Sequence, residues 1–173
     1  MSGWTDEFTE DLLVMIYKTT EEIIEIVKAF EGRRILKPDW SHCKHLTIGL
    51  YYCLRFPFGK AINLMRDGLI HQDKNYGISN PITSGYHETL TMFWMLTTKQ
   101  FIETSKSYNL ADQANELVSI YKDEKIPLQY YSRELLNSRA ARLQHIPPDL
   151  DRFYLFVNSA RLASRGGVTA RLK

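Results

Sequence analysis

The sequence predicts an all-α protein, a compact bundle of about six or seven helices, and three observations predict it. Apolar residues recur at three- and four-residue spacing along most of the chain, as helices with one buried face require. Capping residues, glycines and prolines punctuate that pattern and leave short connections between the periodic segments. A length of 173 residues with 44% hydrophobic residues supplies one core, not several. Nothing repeats at a period of roughly 20–50 residues, and no low-complexity block interrupts the chain. These features place a single helical domain over residues 1–163 and a basic mobile tail over 164–173, where Gly166 and Gly167 sit.

Taken in order, residues 6–17 read as an early helical stretch, although Leu12 to Tyr17 would also suit a short strand. Thr19 and Glu22 have the spacing of a capping box; Ile23, Ile26, Val27 and Phe30 then mark one face, and Gly32 stops the helix. Residues 33–40 form a loop, with Pro38 excluding Lys37 from helical geometry. Asp39 or Ser41 caps the next helix, which runs to Pro57 with His42, His45, Leu46, Tyr52 and Cys53 on one face. Phe58, Ala61, Ile62, Met65 and Leu69 give the following stripe. After a turn-rich connection over 77–84, Thr83 or Ser84 caps a long helix of about 85–107 containing Leu90, Trp94 and Phe101. Asn109 opens another helix, one more is expected over 131–143, and residues 149–163 form a last one.

Composition narrows the function classes. The hydrophobic fraction excludes disorder over most of the length, and a net charge of +2 demands no nucleic-acid or membrane partner. The charge is uneven: residues 1–40 hold nine acids and five bases, whereas 129–173 hold eight bases and three acids. The basic part does not interleave aromatics with bases as a nucleic-acid module does, so nucleic acid is not an expected partner. Cys43 and Cys53 lie ten residues apart on one helix, about 15 Å, too far for a disulfide. Two free thiols, acids where a signal peptide would be basic, and no apolar run of bilayer length together predict a cytoplasmic protein with no membrane partner.

Two short segments carry candidate chemistry. His42 and His45 are three apart on a helix, so both imidazoles reach one ion or ligand, and Asp39 lies a further turn back. Tyr86, His87, Glu88 and Thr91 cluster at the start of the long helix, where unpaired N–H groups favour anions. Imidazoles on the inward stripes of two bundle helices are how core metal sites are built. We therefore expect His42, His45 and His87 as ligands for one divalent metal (Zn, Fe or Mn), with His87 and Glu88 as catalytic acid–base groups. A di-iron carboxylate centre is disfavoured because no histidine has a glutamate three residues before it. Arg66, Tyr52, Tyr86, Thr91 and Tyr131 are expected to bind a small anionic ligand or substrate, Arg66 as the clamp. No phosphate loop, dinucleotide fingerprint, serine elbow or paired-cysteine motif is present.

The run Trp40-Ser41-His42-Cys43-Lys44-His45-Leu46, followed by Gly85-Tyr86-His87-Glu88-Thr89-Leu90-Thr91, resembles an uncharacterised family of small bacterial helical proteins, over about residues 20–150. That family brings no activity with it; the resemblance implies only that His42, His45, His87, Glu88 and Thr91 belong together. Two readings stand side by side. One is a histidine-centred pocket that binds a metal and a small molecule, as an enzyme or as a sensor. The other is a non-catalytic regulatory or interaction module with structural histidines and an arginine-rich contact surface. Elemental analysis separates them, and a homo-oligomer is compatible with both.

Overall fold

Thr19 opens the first helix as its spacing predicts, the hydroxyl accepting the Glu22 N–H at 3.3 Å. The reciprocal bond of the box shifts by one residue, because the Glu22 carboxylate takes the N–H of Lys18. The protein is described here by a computed structural model covering residues 15–78 and 84–150. Within them the chain is entirely helical, without strands, and contains seven α-helices. These are α1 (Thr20–Glu31), α2 (His42–Arg55), α3 (Phe58–Asn75), α4 (Glu88–Thr104), α5 (Leu110–Tyr121), α6 (Arg133–Leu136) and α7 (Arg139–Leu143). Short 3₁₀ turns at Lys37–Asp39 and Ile126–Gln129 join α1 to α2 and α5 to α6.

α2 is the central helix. Its residues Leu46 to Leu50 are consecutively buried, which requires neighbours on every side, and α1, α3, α4 and α5 supply them. Ser41 caps it by accepting the Lys44 N–H, and the Phe56-Pro57 corner ends it. Fully buried Ile48, Leu50, Met65 and Leu117 each contribute roughly 1.5–3 kcal/mol relative to exposure. α1 and α3 approach closely where Gly68 faces Phe30; a Cβ there would lie 2.3 Å from the ring. Among the described residues no helix is long and apolar enough to cross a membrane.

Three expected boundaries differ. α4 begins at Glu88, not near residue 85, because Gly85 takes a left-handed φ of +77° and Tyr86 gives its N–H to Asp73 on α3. The expected helix over 131–143 is two short helices. Ser138 accepts the Ala141 N–H and starts α7 afresh, as Ser132 starts α6 by accepting from Leu135. Residues 15–17 of the expected early helix are not helical; Ile16 and Tyr17 instead donate their N–H groups to the Asn115 side chain on α5. The rest of that stretch, residues 151–163 of the helix expected over 149–163, and the tail at 164–173 lie outside the described residues.

Candidate functional site

The N-terminal ends of α2 and α4 meet the C-terminal ends of α3 and α5 around a cavity of about 950 Å³. His42 and His45 reach it from α2, Thr91 and Trp94 from α4, and Asp73 from α3. Tyr86 and His87 come from the turn before α4, and Trp40 from the corner before α2. An exposed run after α5, Lys122-Asp123-Glu124-Lys125, forms part of the rim together with Lys37.

His42 sits in the first turn of α2 with its Nε2 3.0 Å from the carbonyl oxygen of Tyr121. A carbonyl only accepts, so Nε2 carries the hydrogen and Nδ1 of the neutral ring is left as a lone-pair acceptor. The ring lies 4.5 Å from that of Trp94, centroid to centroid. Burial lowers the His42 pKa, opposed by the Tyr121 carbonyl and by the charges of Glu124 and Asp123. One turn on, His45 is stacked beneath Trp40 at 6.3 Å and stands edge-on to His42 at 6.1 Å. Its Nε2 is buried with no hydrogen-bond partner among the described residues, and burial pushes the imidazole down to about 3. Both rings are therefore neutral at physiological pH.

His87 is the N-cap of α4 and not a residue of its inward stripe. Its extended backbone lets Nδ1 accept the Leu90 N–H at 3.3 Å, while Nε2–H donates to the Leu136 carbonyl at 2.8 Å. Histidine takes the capping place of a serine or aspartate and in the same geometry ties α4 to α6. Burial lowers its pKa, so the cap is held in the neutral tautomer that both bonds require.

Glu88 and Arg66 stand behind the wall. The guanidinium donates from Nε at 2.9 Å and Nη2 at 2.6 Å to the two carboxylate oxygens, and the Tyr86 hydroxyl adds a third bond at 2.6 Å. Hydrogen bonds from Arg66 hold the Glu88 carboxyl below the usual glutamate range. At neutral pH Glu88 thus has no proton to donate. Arg66 spends its remaining Nη1 on Asn63 at 2.6 Å and is not an open clamp. Asp73 and Arg142 fix the same turn from outside: Asp73 accepts the Tyr86 N–H, and Arg142 donates to the carbonyls of Gly85 and Tyr86 at 3.1 and 3.2 Å.

Of the residues singled out from sequence, His42, His45, His87, Tyr86 and Thr91 line one cavity, and Glu88 with Arg66 buttresses Tyr86. Tyr52 lies elsewhere, buried with its hydroxyl 3.3 Å from Glu31, and Tyr131 packs against Phe93 in the core. The donor set does not fit a three-imidazole metal site in this arrangement. Both nitrogens of His87 are engaged, and Nε2 of His42 is held by a carbonyl. Among the described residues no group of three or more His, Cys, Asp or Glu side chains is placed to hold an ion. Sequence reasoning did not single out Asp73 or Tyr76, and it offered Arg142 for an anionic ligand, whereas its guanidinium holds the carbonyls of Gly85 and Tyr86. The only signal for Asp73 is its pairing with a backbone thirteen residues away, which helical periodicity does not encode.

Comparison with protein-family models, with curated proteins and with solved structures finds no match. Fold and cavity define a small all-α protein with an imidazole- and indole-walled cavity at one end of its bundle.

Proposed function

We propose that this chain binds a small organic molecule in the cavity between α2, α3, α4 and α5, as a binding protein and not through acid–base catalysis by Glu88. The observation that carries the reading is the convergence of His42, His45, Trp40, Trp94, Tyr86 and Thr91 on one cavity of about 950 Å³. Small-molecule sites span roughly 300–1,000 Å³ and combine an apolar, aromatic lining with a few fixed polar groups. Here the polar groups are fixed by backbone carbonyls and by the Arg66–Glu88 pair, so they are preorganised for a ligand. The alternative of structural histidines draws support from His87, whose two nitrogens serve the fold. A metal-dependent version would require His87 to release the cap of α4; a small organic ligand requires no such rearrangement.

Tryptophan fluorescence tests the proposal, because Trp40 and Trp94 are both on the wall. Aromatic probes of each charge type (phenethylammonium, phenethyl alcohol and 3-phenylpropionate) are titrated into the full chain, with Zn²⁺ and Mn²⁺ in parallel. The expected result is saturable quenching by at least one organic probe, reduced in amplitude by Trp94→Phe. A folded protein that responds to none of them, or one stabilised only by the metals, contradicts it.

A further inference from the structure

Among the described residues, six charged side chains border the cavity: Lys37, Asp73, Lys122, Asp123, Glu124 and Lys125. Five are exposed, and their three positive and two negative charges screen one another in solvent at the rim. Asp73 alone is partly buried. One of its oxygens accepts the Tyr86 N–H, and among the described residues no cation lies within ion-pair distance of it. Arg142 acts on it through space but is committed to the carbonyls of Gly85 and Tyr86. An unpaired, partly buried carboxylate on a wall that Tyr76 and Tyr86 also line is costly unless a cation joins it.

The hydrogen-bond polarity of the wall points the same way. Tyr86 gives its hydroxyl proton to Glu88, and Tyr76 gives its own to the Ile35 carbonyl. His42 gives its ring proton to the Tyr121 carbonyl and keeps Nδ1 as a lone pair, while both nitrogens of His87 are taken by the fold. These side chains therefore meet a ligand with lone pairs and aromatic faces, which suit hydrogen-bond donors and cations.

Resting on the reading of this cavity as a small-molecule site, we propose that its ligand is a small organic cation. It is an ammonium group on an aromatic or apolar body, with Asp73 as counter-ion in the cavity that Trp40, Trp94, Tyr76 and Tyr86 also line. This replaces the anionic ligand expected from sequence, whose clamp Arg66 is already spent on Glu88.

The test compares phenethylammonium with its isosteres phenethyl alcohol and 3-phenylpropionate on wild type, on Asp73→Asn and on the rim variant Asp123→Asn/Glu124→Gln. Asparagine retains an oxygen to accept the Tyr86 N–H, and circular dichroism verifies that the variant is folded. Wild type is expected to prefer phenethylammonium over both isosteres. Asp73→Asn should weaken that probe by about tenfold or more, whereas the rim variant changes it by about twofold at most. Tighter binding of 3-phenylpropionate, or a preference for phenethylammonium unchanged in Asp73→Asn, overturns the cation assignment and leaves the cavity reading standing. If none of the three probes saturates, both fall together.

Discussion

Replacing Gly85 with alanine probes the turn that sets the site, and Gly77 provides an internal reference. Both glycines are left-handed, with φ of +77° and +72°, so alanine at either position costs about 1–2 kcal/mol in backbone strain. At Gly77 a Cβ would meet nothing within 4 Å, and that strain is the whole cost. At Gly85 the added Cβ would fall 2.4 Å from Asp73 Oδ2 and 2.9 Å from its Cγ. Contacts so short force Asp73 aside and break its bond to the Tyr86 N–H, adding about 1 kcal/mol for the bond and about 1–3 kcal/mol for the overlap. Gly85→Ala should therefore be less stable than Gly77→Ala by about 2–4 kcal/mol. In a domain of this size that lowers Tm by roughly 4–15 °C more. Urea and thermal unfolding of the two variants measure the difference. Equal stabilities within about 0.5 kcal/mol would refute the reasoning that Asp73 and Gly85 lock this turn.

Glu88→Gln removes the ion pair with Arg66 and should cost about 2 kcal/mol at pH 7 by urea unfolding. Because the folded-state pKa of Glu88 is depressed, its contribution is present above the unfolded glutamate pKa and is lost as pH falls through the folded value. The wild type should accordingly lose stability more steeply than Glu88→Gln below about pH 4.5. His45 acts in the same direction over a window that reaches to higher pH. Kept neutral in the fold down to about 3, it binds a proton only in the unfolded chain between there and about 6.5, so stability falls with pH across that window. In NMR its ring should show no titration between pH 8 and 5; a midpoint near 6.5 would contradict its burial. Gly68→Ala drives a Cβ to 2.3 Å from the Phe30 ring and should destabilise by about 1–3 kcal/mol in thermal unfolding, with α1 and α3 pushed apart.

Local signals in the sequence carried the helices well. Thr19, Ser41 and Asn109 cap α1, α2 and α5 because their side chains satisfy N–H groups two or three residues on, an interaction encoded within one turn. The helix periods placed His42 and His45 on a common face and His87 at the head of the partner helix, and the cavity has all three on its wall. Interactions across elements were not legible. Arg66 was visible as a charged residue on an apolar stripe and Glu88 as an acid at the start of the long helix, but their pairing depends on how α3 docks on α4. The start of α4 was misplaced for the same reason: serine and threonine dominate capping statistics, whereas here Asp73 and Gly85 delay the helix until a histidine caps it. Tyr52 and Tyr131 carried the right chemistry on faces that pack elsewhere.

The central claim, that a small molecule occupies the cavity at this end of the bundle, is tested most directly by amide and indole NMR shifts of the ¹⁵N-labelled full chain during titration with phenethylammonium. The account predicts saturable shifts at the Trp40 and Trp94 indoles and at the amides of Tyr86, His87 and Thr91. The amides of Leu110 to Gln113 should stay fixed, since they lie about 12–16 Å along α5 from its cavity end. Shifts spread evenly over the surface, or none at the two indoles, would contradict it.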